Sequence, residues 1–165
     1  MVSLGDISLE VPGSWIKVPP QSGMRLAQYD IPGNGGAGSM AVFRFPGGGG
    51  SASANLARWK GQLQPGPDTR PPEEKVATVA GLTVTSLDAV GRFAPGPMPG
   101  APAAAPIERA RMLAAVIEGA GDPYFIKCTG PAETMDAQVA AWEAMLASTR
   151  PTPAGAKAAA VPAPQ

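Results

Sequence analysis

The segment Gly47–Asn55 (GGGGSASAN) offers a specific chemistry, because its glycines lead into a predicted helix. Backbone N–H groups at the start of a helix are free and lie at the positive end of its dipole, so they attract anions. Gly48, Gly49, Ser51 and Ser53 are therefore candidates for contacting a phosphate or carboxylate. The alternative is a strand-to-helix connection capped by a serine. No Lys-Ser or Lys-Thr pair follows the glycines, so the segment lacks the P-loop signature.

A second candidate binding surface lies in the predicted strand Met24–Ile31. Side chains at i and i+4 of a strand share one face, which places Arg25 and Tyr29 together. With Trp15, they are candidates for contacting a partner at an exposed sheet edge or loop. In the alternative interpretation, Trp15 packs over the end of the sheet and Arg25 is a solvated or ion-paired edge residue.

Histidine is absent from the chain, and its absence excludes most catalytic templates. Cys128 therefore cannot form a papain-like Cys-His pair, and a Cys within YFIKCT is more often a small buried core residue. A single Cys also excludes an intramolecular disulfide and a thiolate metal site. We assign no catalytic residue and no metal ligand, and we expect no cofactor.

The glycines Gly33, Gly35 and Gly38 match the spacing GxGxxG. A dinucleotide-binding fingerprint needs a strand before this motif and a helix after it. Here Pro32 precedes the motif and a predicted strand follows it. We therefore predict that Pro32–Gly38 is the flexible loop of a β-hairpin.

Acidic residues are the remaining candidates for acid–base chemistry, since glycoside hydrolysis needs two carboxylates that face one cleft. Glu73 and Glu74 are adjacent, so on a strand they lie on opposite faces. Glu118 and Asp122 flank a predicted hairpin turn. Neither pair lies at an evident cleft.

The charge balance limits the classes of partner, because 13 Lys and Arg offset 13 Asp and Glu. Nucleic-acid and anionic-membrane binding need a basic face. The basic residues are scattered, so we expect no nucleic-acid partner. No apolar run approaches the ~20 residues of a transmembrane helix. The expected partner is a protein or a small ligand.

Glycine and proline make up a quarter of the 165 residues, with 21 and 20 copies. Two segments with many of these prolines, Ala94–Pro106 and Arg150–Gln165, contain almost no Leu, Ile, Val or Phe, so they cannot offset their ordering entropy. We predict one domain over residues 1–150, with a mobile loop at 94–106. Residues 151–165 are predicted to form a disordered Ala/Pro tail.

The remaining elements follow from apolar periodicity and turn residues. Strands are predicted at Gly5–Val11, Trp15–Val18, Met24–Ile31, Ser39–Phe45, Glu73–Val79, Leu82–Phe93, Arg109–Glu118 and Tyr124–Thr129. Helices are predicted over Ser51–Gln64 and from Gly130–Pro131 to Arg150. The run MLAAVI is apolar on both strand faces and indicates a central strand covered on both sides. The predicted class is α+β, a mostly antiparallel sheet of about six to eight strands packed with two main helices in an α/β/α sandwich.

The segment ISLEVPGSW (Ile7–Trp15) resembles the opening of the Mog1/PsbP-like fold, in which a strand leads into a Pro-x-x-Trp turn. The segments SWIKVPPQSGMRLAQYDIPG, GGGGSASANLARW and PYFIKCTGP resemble a group of uncharacterised bacterial proteins that often carry lipoprotein or export leaders. The resemblance covers roughly Leu4–Arg150. Members of the superfamily include photosystem subunits, a small-GTPase-binding factor and envelope lipoproteins, so it implies an accessory or binding role.

These observations predict a non-catalytic binding or accessory module of a bacterial envelope-type protein. One alternative is a small carboxylate- or serine-based hydrolase, and another is a cytoplasmic protein-binding regulator. Met1–Val11 lacks the basic start and apolar stretch of a secretory leader. The expected location is the periplasm or envelope if a leader was removed, and otherwise the cytoplasm.

Overall fold

The computed structural model describes residues 2–20, 25–44, 50–66, 70–93, 106–119 and 121–152. Its strands are β1 (Val2–Ser3), β2 (Ile7–Leu9), β3 (Ile16–Val18), β4 (Arg25–Ile31), β5 (Gly38–Phe43), β6 (Leu63–Gln64), β7 (Arg70–Val79), β8 (Leu82–Phe93), β9 (Ile107–Glu118), β10 (Tyr124–Pro131) and β11 (Arg150–Pro151). Its helices are α1 (Ala52–Lys60), α2 (Ala132–Asp136) and α3 (Val139–Ala147). None of the helices in these ranges is long and apolar enough to cross a membrane.

The strands form two antiparallel sheets. The larger sheet has eight strands. Seven of them lie in the order β3-β4-β5-β10-β9-β8-β6, and the eighth, β7, pairs with β8. The smaller sheet has the order β1-β2-β11. The predicted α+β class, with a mostly antiparallel sheet and helices packed on it, is confirmed.

The central strand β9 is buried on both faces, as the run MLAAVI predicted. Leu113, Ala115 and Ile117 belong to one core, which also receives the α3 residues Trp142 and Met145. The opposite face belongs to a second core, formed with α1. Its β9 members are Met112, Ala114 and Val116. Helices therefore cover the two faces separately.

The helix α1 begins as predicted but ends early. The Ser51 hydroxyl accepts a hydrogen bond from the Ala54 N–H at 3.1 Å, so Ser51 is the N-cap. The helix ends at Lys60, because Gly61, a poor helix former, takes the C-cap position. Leu63–Gln64, expected in the helix, instead forms β6 on the edge of β8.

The last helix is also different from the prediction, since it is divided between α2 and α3. Ala137 ends α2 and Gln138 begins α3. At this break, the Gln138 side-chain oxygen accepts a hydrogen bond of 2.8 Å from the Trp15 indole N–H. Trp15 is 5% exposed and belongs to the core on the α3 side of the large sheet, called the α3-side core below. It therefore has the packing role that was the alternative interpretation of this residue.

The ends of the predicted domain also need correction. The strand predicted over Gly5–Val11 is shortened to Ile7–Leu9. Arg150–Pro151, assigned to the end of a helix and a tail, forms β11 beside β2, and the Thr152 N–H donates to the backbone carbonyl of Asp6 at 2.9 Å. Most of the predicted mobile loop (94–105) and tail (153–165) lies outside the described residues.

Tyr124 ties the small sheet to the large one. Its hydroxyl accepts from the Asp6 N–H at 2.8 Å and donates to the Leu4 carbonyl at 3.0 Å. Arg44 lies over the Tyr124 ring at 4.2 Å and pairs with Asp6 at 2.6 Å. One phenol therefore satisfies two backbone groups of the segment between β1 and β2.

The GxGxxG segment is the hairpin loop predicted for it, joining β4 to β5. A side chain at Gly33 would lie 2.4 Å from Thr134, so a glycine permits the loop to pack on α2. The Thr134 hydroxyl donates to the Gly36 carbonyl at 2.6 Å. The glycines here allow the backbone of the loop to approach α2 closely.

The β7–β8 hairpin yields a prediction about stability. Both residues of its two-residue turn have positive φ, 50° at Ala80 and 82° at Gly81. Asn-Gly suits such a turn, whereas an alanine in the left-handed region is disfavoured. Ala80→Asn should raise the free energy of unfolding by roughly 0.5 to 1 kcal/mol in urea denaturation. Ala80→Val should lower it, and an equal effect of both substitutions would contradict the argument.

Candidate functional site

Arg25 lies on the α1 side of the sheet because of a β-bulge in β4. The pairing of β4 with β5 shifts register between Arg25, opposite Phe43, and Ala27, opposite Val42. Leu26 is therefore the extra residue, and the side chains before it are turned to the other face. Phe43 also pairs with Phe125 on β10. Arg25, Phe43 and Phe125 thus form one row across three strands.

Lys127 lies in the next row on the same face. It pairs with Ala41, which pairs with Gln28 on β4. The Lys127 ammonium donates to the Gln62 side-chain oxygen and lies 5.7 Å from the centre of the Phe93 ring. A lysine in an apolar strand is thereby held between aromatic rings and an amide.

The helix α1 supplies the third basic side chain, Arg58. Its guanidinium donates to the Asn55 side-chain oxygen at 2.5 Å, and the Asn55 side-chain N–H donates to the Ser51 carbonyl at 2.9 Å. The next residue, Trp59, packs edge-on against Phe125 with ring centres 6.3 Å apart. Arg58 itself is exposed, while Trp59 is 4% exposed.

Phe43, Arg58, Trp59, Phe125 and Lys127 line one small pocket of about 90 Å³. Arg25 lies beside it, with its guanidinium 5.5 Å from the centre of the Phe43 ring. We name this group of six residues the cationic pocket. Its walls are aromatic and its polar groups are two guanidiniums and one amine.

The hydrogen-bond partners in the cationic pocket are neutral amides. Arg25 donates to the Gln28 side-chain oxygen at 2.9 Å, just as Arg58 and Lys127 donate to the amides of Asn55 and Gln62. Within the described ranges, Arg25, Arg58 and Lys127 form no ion pair with a carboxylate. The positive charge of this site is therefore oriented by its partners but is not neutralised by them.

The electrostatics of Lys127 follow from this arrangement. Burial, with smaller contributions from the nearby charges of Arg58 and Arg25, lowers the pKa of Lys127 to about 8. Burial also lowers the pKa of Arg25. An anion bound in the pocket would raise the pKa of Lys127, because a nearby negative charge favours the protonated amine.

The residues expected to bind a ligand do not all meet at this site. Tyr29 lies on the opposite face, 5% exposed within the α3-side core, and burial raises the pKa of its phenol. The prediction that Arg25 and Tyr29 share a face is wrong, because the bulge at Leu26 shifts the alternation by one residue.

The predicted anion site at the start of α1 is only partly described. Ser51 acts as the helix cap, and its hydroxyl lies 3.5 Å from that of Ser53. Both serines are exposed. Gly48 and Gly49 lie outside the described residues.

Sequence reasoning did not assign Arg58 or Lys127 to a site. A signal was present for Lys127, since strand alternation places it on the face of Phe125 and opposite Cys128. Arg58 is three residues after the buried Asn55, a helical spacing that brings their side chains together. Nothing local indicated that these two residues lie near Arg25.

Cys128 is a core residue, as the sequence favoured. Its side chain is fully buried, and burial raises the pKa of the thiol well above its ordinary value. A thiolate nucleophile is therefore disfavoured there. In the described part of the chain, no three Cys, Asp or Glu side chains are arranged to hold a metal ion.

A second groove, of about 220 Å³, lies between α3 and the strands β7 and β8. Its lining is mostly apolar and includes Val84, Trp142 and Leu146. Lys75 pairs with Glu143 at 3.9 Å and Asp88 pairs with Arg111 of β9 at 2.6 Å, and Glu73 also lines the groove. Three of its four charged lining residues are acidic, so this groove does not offer the positive charge of the cationic pocket.

Comparisons with known proteins add little about function. No protein-family model matches the chain, and no curated protein matches it. Among solved structures, it is similar to a crystal structure of a Pseudomonas aeruginosa protein described as being of unknown function and as a candidate regulator. That similarity has a TM-score of 0.49 and 15% identity, and it covers 98% of this chain and 100% of the other. A similarity of this degree supports no conclusion about function.

The lowered pKa of Lys127 predicts a distinct pH dependence of stability. Below pH 8 the folded chain bears the cost of a buried ammonium, about 3 kcal/mol for a pKa that falls from 10.5 to about 8. Between pH 8 and 10.5 the unfolded chain binds the extra proton, so the free energy of unfolding rises with pH. Lys127→Met should remove this rise.

The measurement is urea denaturation of both proteins between pH 7 and 10.5. The chain has no His, so few other groups titrate in the lower part of this window, and those groups are common to both proteins. The stability advantage of Lys127→Met should be largest at pH 7 and should shrink toward pH 10.5. A difference that stays constant with pH would refute the assignment.

Proposed function

We propose that this chain is a non-catalytic binding module that holds a small anion in the cationic pocket. The observation that carries the proposal is the pairing of Arg25, Arg58 and Lys127 with amide oxygens in place of carboxylates. An amide fixes the direction of a basic side chain but leaves its charge available. A carboxylate or phosphate then supplies the missing counter-charge through charge-assisted hydrogen bonds.

The size of the pocket limits the ligand. Its volume of about 90 Å³ is well below the 300 to 1,000 Å³ of typical drug-sized sites. A single carboxylate, phosphate or sulfate group is therefore the part of a ligand that would be enclosed. The aromatic walls would shield part of that group from water, which would strengthen its attraction to the cations.

Exposure differs among the three basic side chains and supports an order of contact. Arg58 is exposed, whereas Arg25 and Lys127 are half-buried. Arg58 is thus the cation that an approaching anion meets first. A bound anion would stabilise the protonated amine of Lys127 most, because this is the most desolvated of the three charges.

An accessory role agrees with the resemblance to Mog1/PsbP-like proteins, and we propose such a role in a bacterial envelope. Solute sensing or partner recruitment through a bound anion would suit it. The hydrolase alternative receives no comparable support, because Glu73 and Glu74 succeed one another along β7 and thus point to opposite faces. The cytoplasmic regulator remains a prediction from the sequence.

Anion binding can be tested with inorganic phosphate and acetate, titrated by calorimetry at pH 7 and at constant ionic strength. Arg25→Gln and Arg58→Gln should each weaken binding about fivefold, equivalent to about 1 kcal/mol, because each removes one charge-assisted hydrogen bond. The glutamine keeps a polar side chain of similar length.

Lys60→Gln is the matched control, since it makes the same change in net charge and lies on α1, the helix that carries Arg58. Lys60 pairs with Glu74 at 2.5 Å and does not line the cationic pocket. Its binding constant should stay within twofold of the wild type. An equal loss in all three variants would indicate a diffuse charge effect, and the absence of saturable binding would refute the site.

A further inference from the structure

The amine of Lys127 has the surroundings of a nucleophile. It lies in the cationic pocket with the guanidinium of Arg58, near an aromatic ring and against a neutral amide. An amine is activated for attack on carbonyl groups when it is desolvated next to another cationic group. The pKa of about 8 means that a fraction of this amine is unprotonated at neutral pH.

Its hydrogen bond leaves the reactive electron pair available. The Gln62 side-chain oxygen accepts an N–H of Lys127, and an acceptor does not use the nitrogen lone pair. Lys60 and Lys75 have different surroundings, because each forms an ion pair with a glutamate.

We propose that Lys127 forms a reversible imine with a short 2-oxo acid whose carboxylate is bound by Arg58 and Arg25. This proposal rests on the anion site proposed above and names the class of anion. The acid and the carbonyl must lie close together in the ligand, because Arg58 and Lys127 line the same small pocket. A 2-oxo acid carries the two groups on adjacent carbons.

The volume of the site favours a short ligand. An apolar cavity of about 150 Å³ holds one benzene molecule, and the cationic pocket, with about 90 Å³, is smaller. Pyruvate and glyoxylate are of suitable size. A sugar phosphate or a pyridoxal would extend far outside the walls formed by Phe43, Trp59 and Phe125.

The reaction balances without any further reagent. The Lys127 nitrogen lone pair attacks the carbonyl carbon as the C=O π bond breaks, and one amine proton moves to the oxygen to give a carbinolamine. The remaining C–O bond then breaks, the oxygen takes up the second amine proton, and it leaves as one water molecule while the C=N bond forms. Neither oxidation nor reduction occurs, and water reverses the step.

The test is reductive trapping of the full-length wild-type chain with pyruvate and sodium cyanoborohydride at pH 8, followed by peptide mass spectrometry. Reduction of the pyruvate imine leaves a 1-carboxyethyl group on the amine. Lys127 should carry this group at a level at least tenfold above Lys60 and Lys75. Arg58→Gln should lower trapping by pyruvate about fivefold more than trapping by the neutral aldehyde propanal. Both reactions lose the charge that helps to lower the pKa of Lys127, but only pyruvate also loses the guanidinium that binds its carboxylate. Lys60→Gln should leave both reactions unchanged.

The outcomes separate this inference from the anion site itself. Saturable acetate binding without an adduct on Lys127 would overturn the imine and leave the anion site standing. Absence of both acetate binding and the Lys127 adduct would overturn the anion site as well as the imine. An adduct spread evenly over the lysines, or an equal loss of pyruvate and propanal trapping in Arg58→Gln, would also refute the proposal.

Discussion

Burial of the central strand on both faces is the constraint from which the rest of the structure follows. Met112 and Leu113 are adjacent on β9, yet each is at most 1% exposed and each belongs to a different core. A strand of this kind needs a cover on both sides. The helix α1 covers one side, and α3 covers the other. Strand alternation then assigns each side chain of the neighbouring strands to one of the two cores.

The same constraint explains why Lys127 is unusual. The alternation of β10 directs Phe125 and Lys127 toward α1, so a basic group lies where the fold otherwise buries apolar surface. Desolvating an ammonium costs several kcal/mol unless a counter-charge is present. The fold offers an amide, an aromatic face and partial solvent access instead. An anion of the kind proposed above would remove part of the remaining cost, so its binding should stabilise this face of the fold.

The sequence predicted what local patterns determine. The two-sided strand and the serine cap of α1 each depend on residues that are close in the chain, and each is present. The bulge at Leu26 was missed, because one extra residue in a strand has no distinct composition but reverses the faces of the residues before it. The cationic pocket was missed for a related reason. Its members come from β4, α1 and β10, and they meet only through a long-range register that local patterns do not specify.

The balanced net charge concealed the local excess of positive charge. With 13 basic and 13 acidic residues, the chain as a whole predicts no electrostatic attraction for anions. Several of the acids, however, form ion pairs elsewhere in the described part of the chain: Asp6 with Arg44, Glu108 with Arg92, and Asp88 with Arg111. A glutamate in place of Gln28 or Gln62 would give the neighbouring cation a stronger partner, but it would also neutralise the pocket. Amides at these positions preserve the positive charge of the cationic pocket, and in the function proposed above a bound anion would supply the counter-charge.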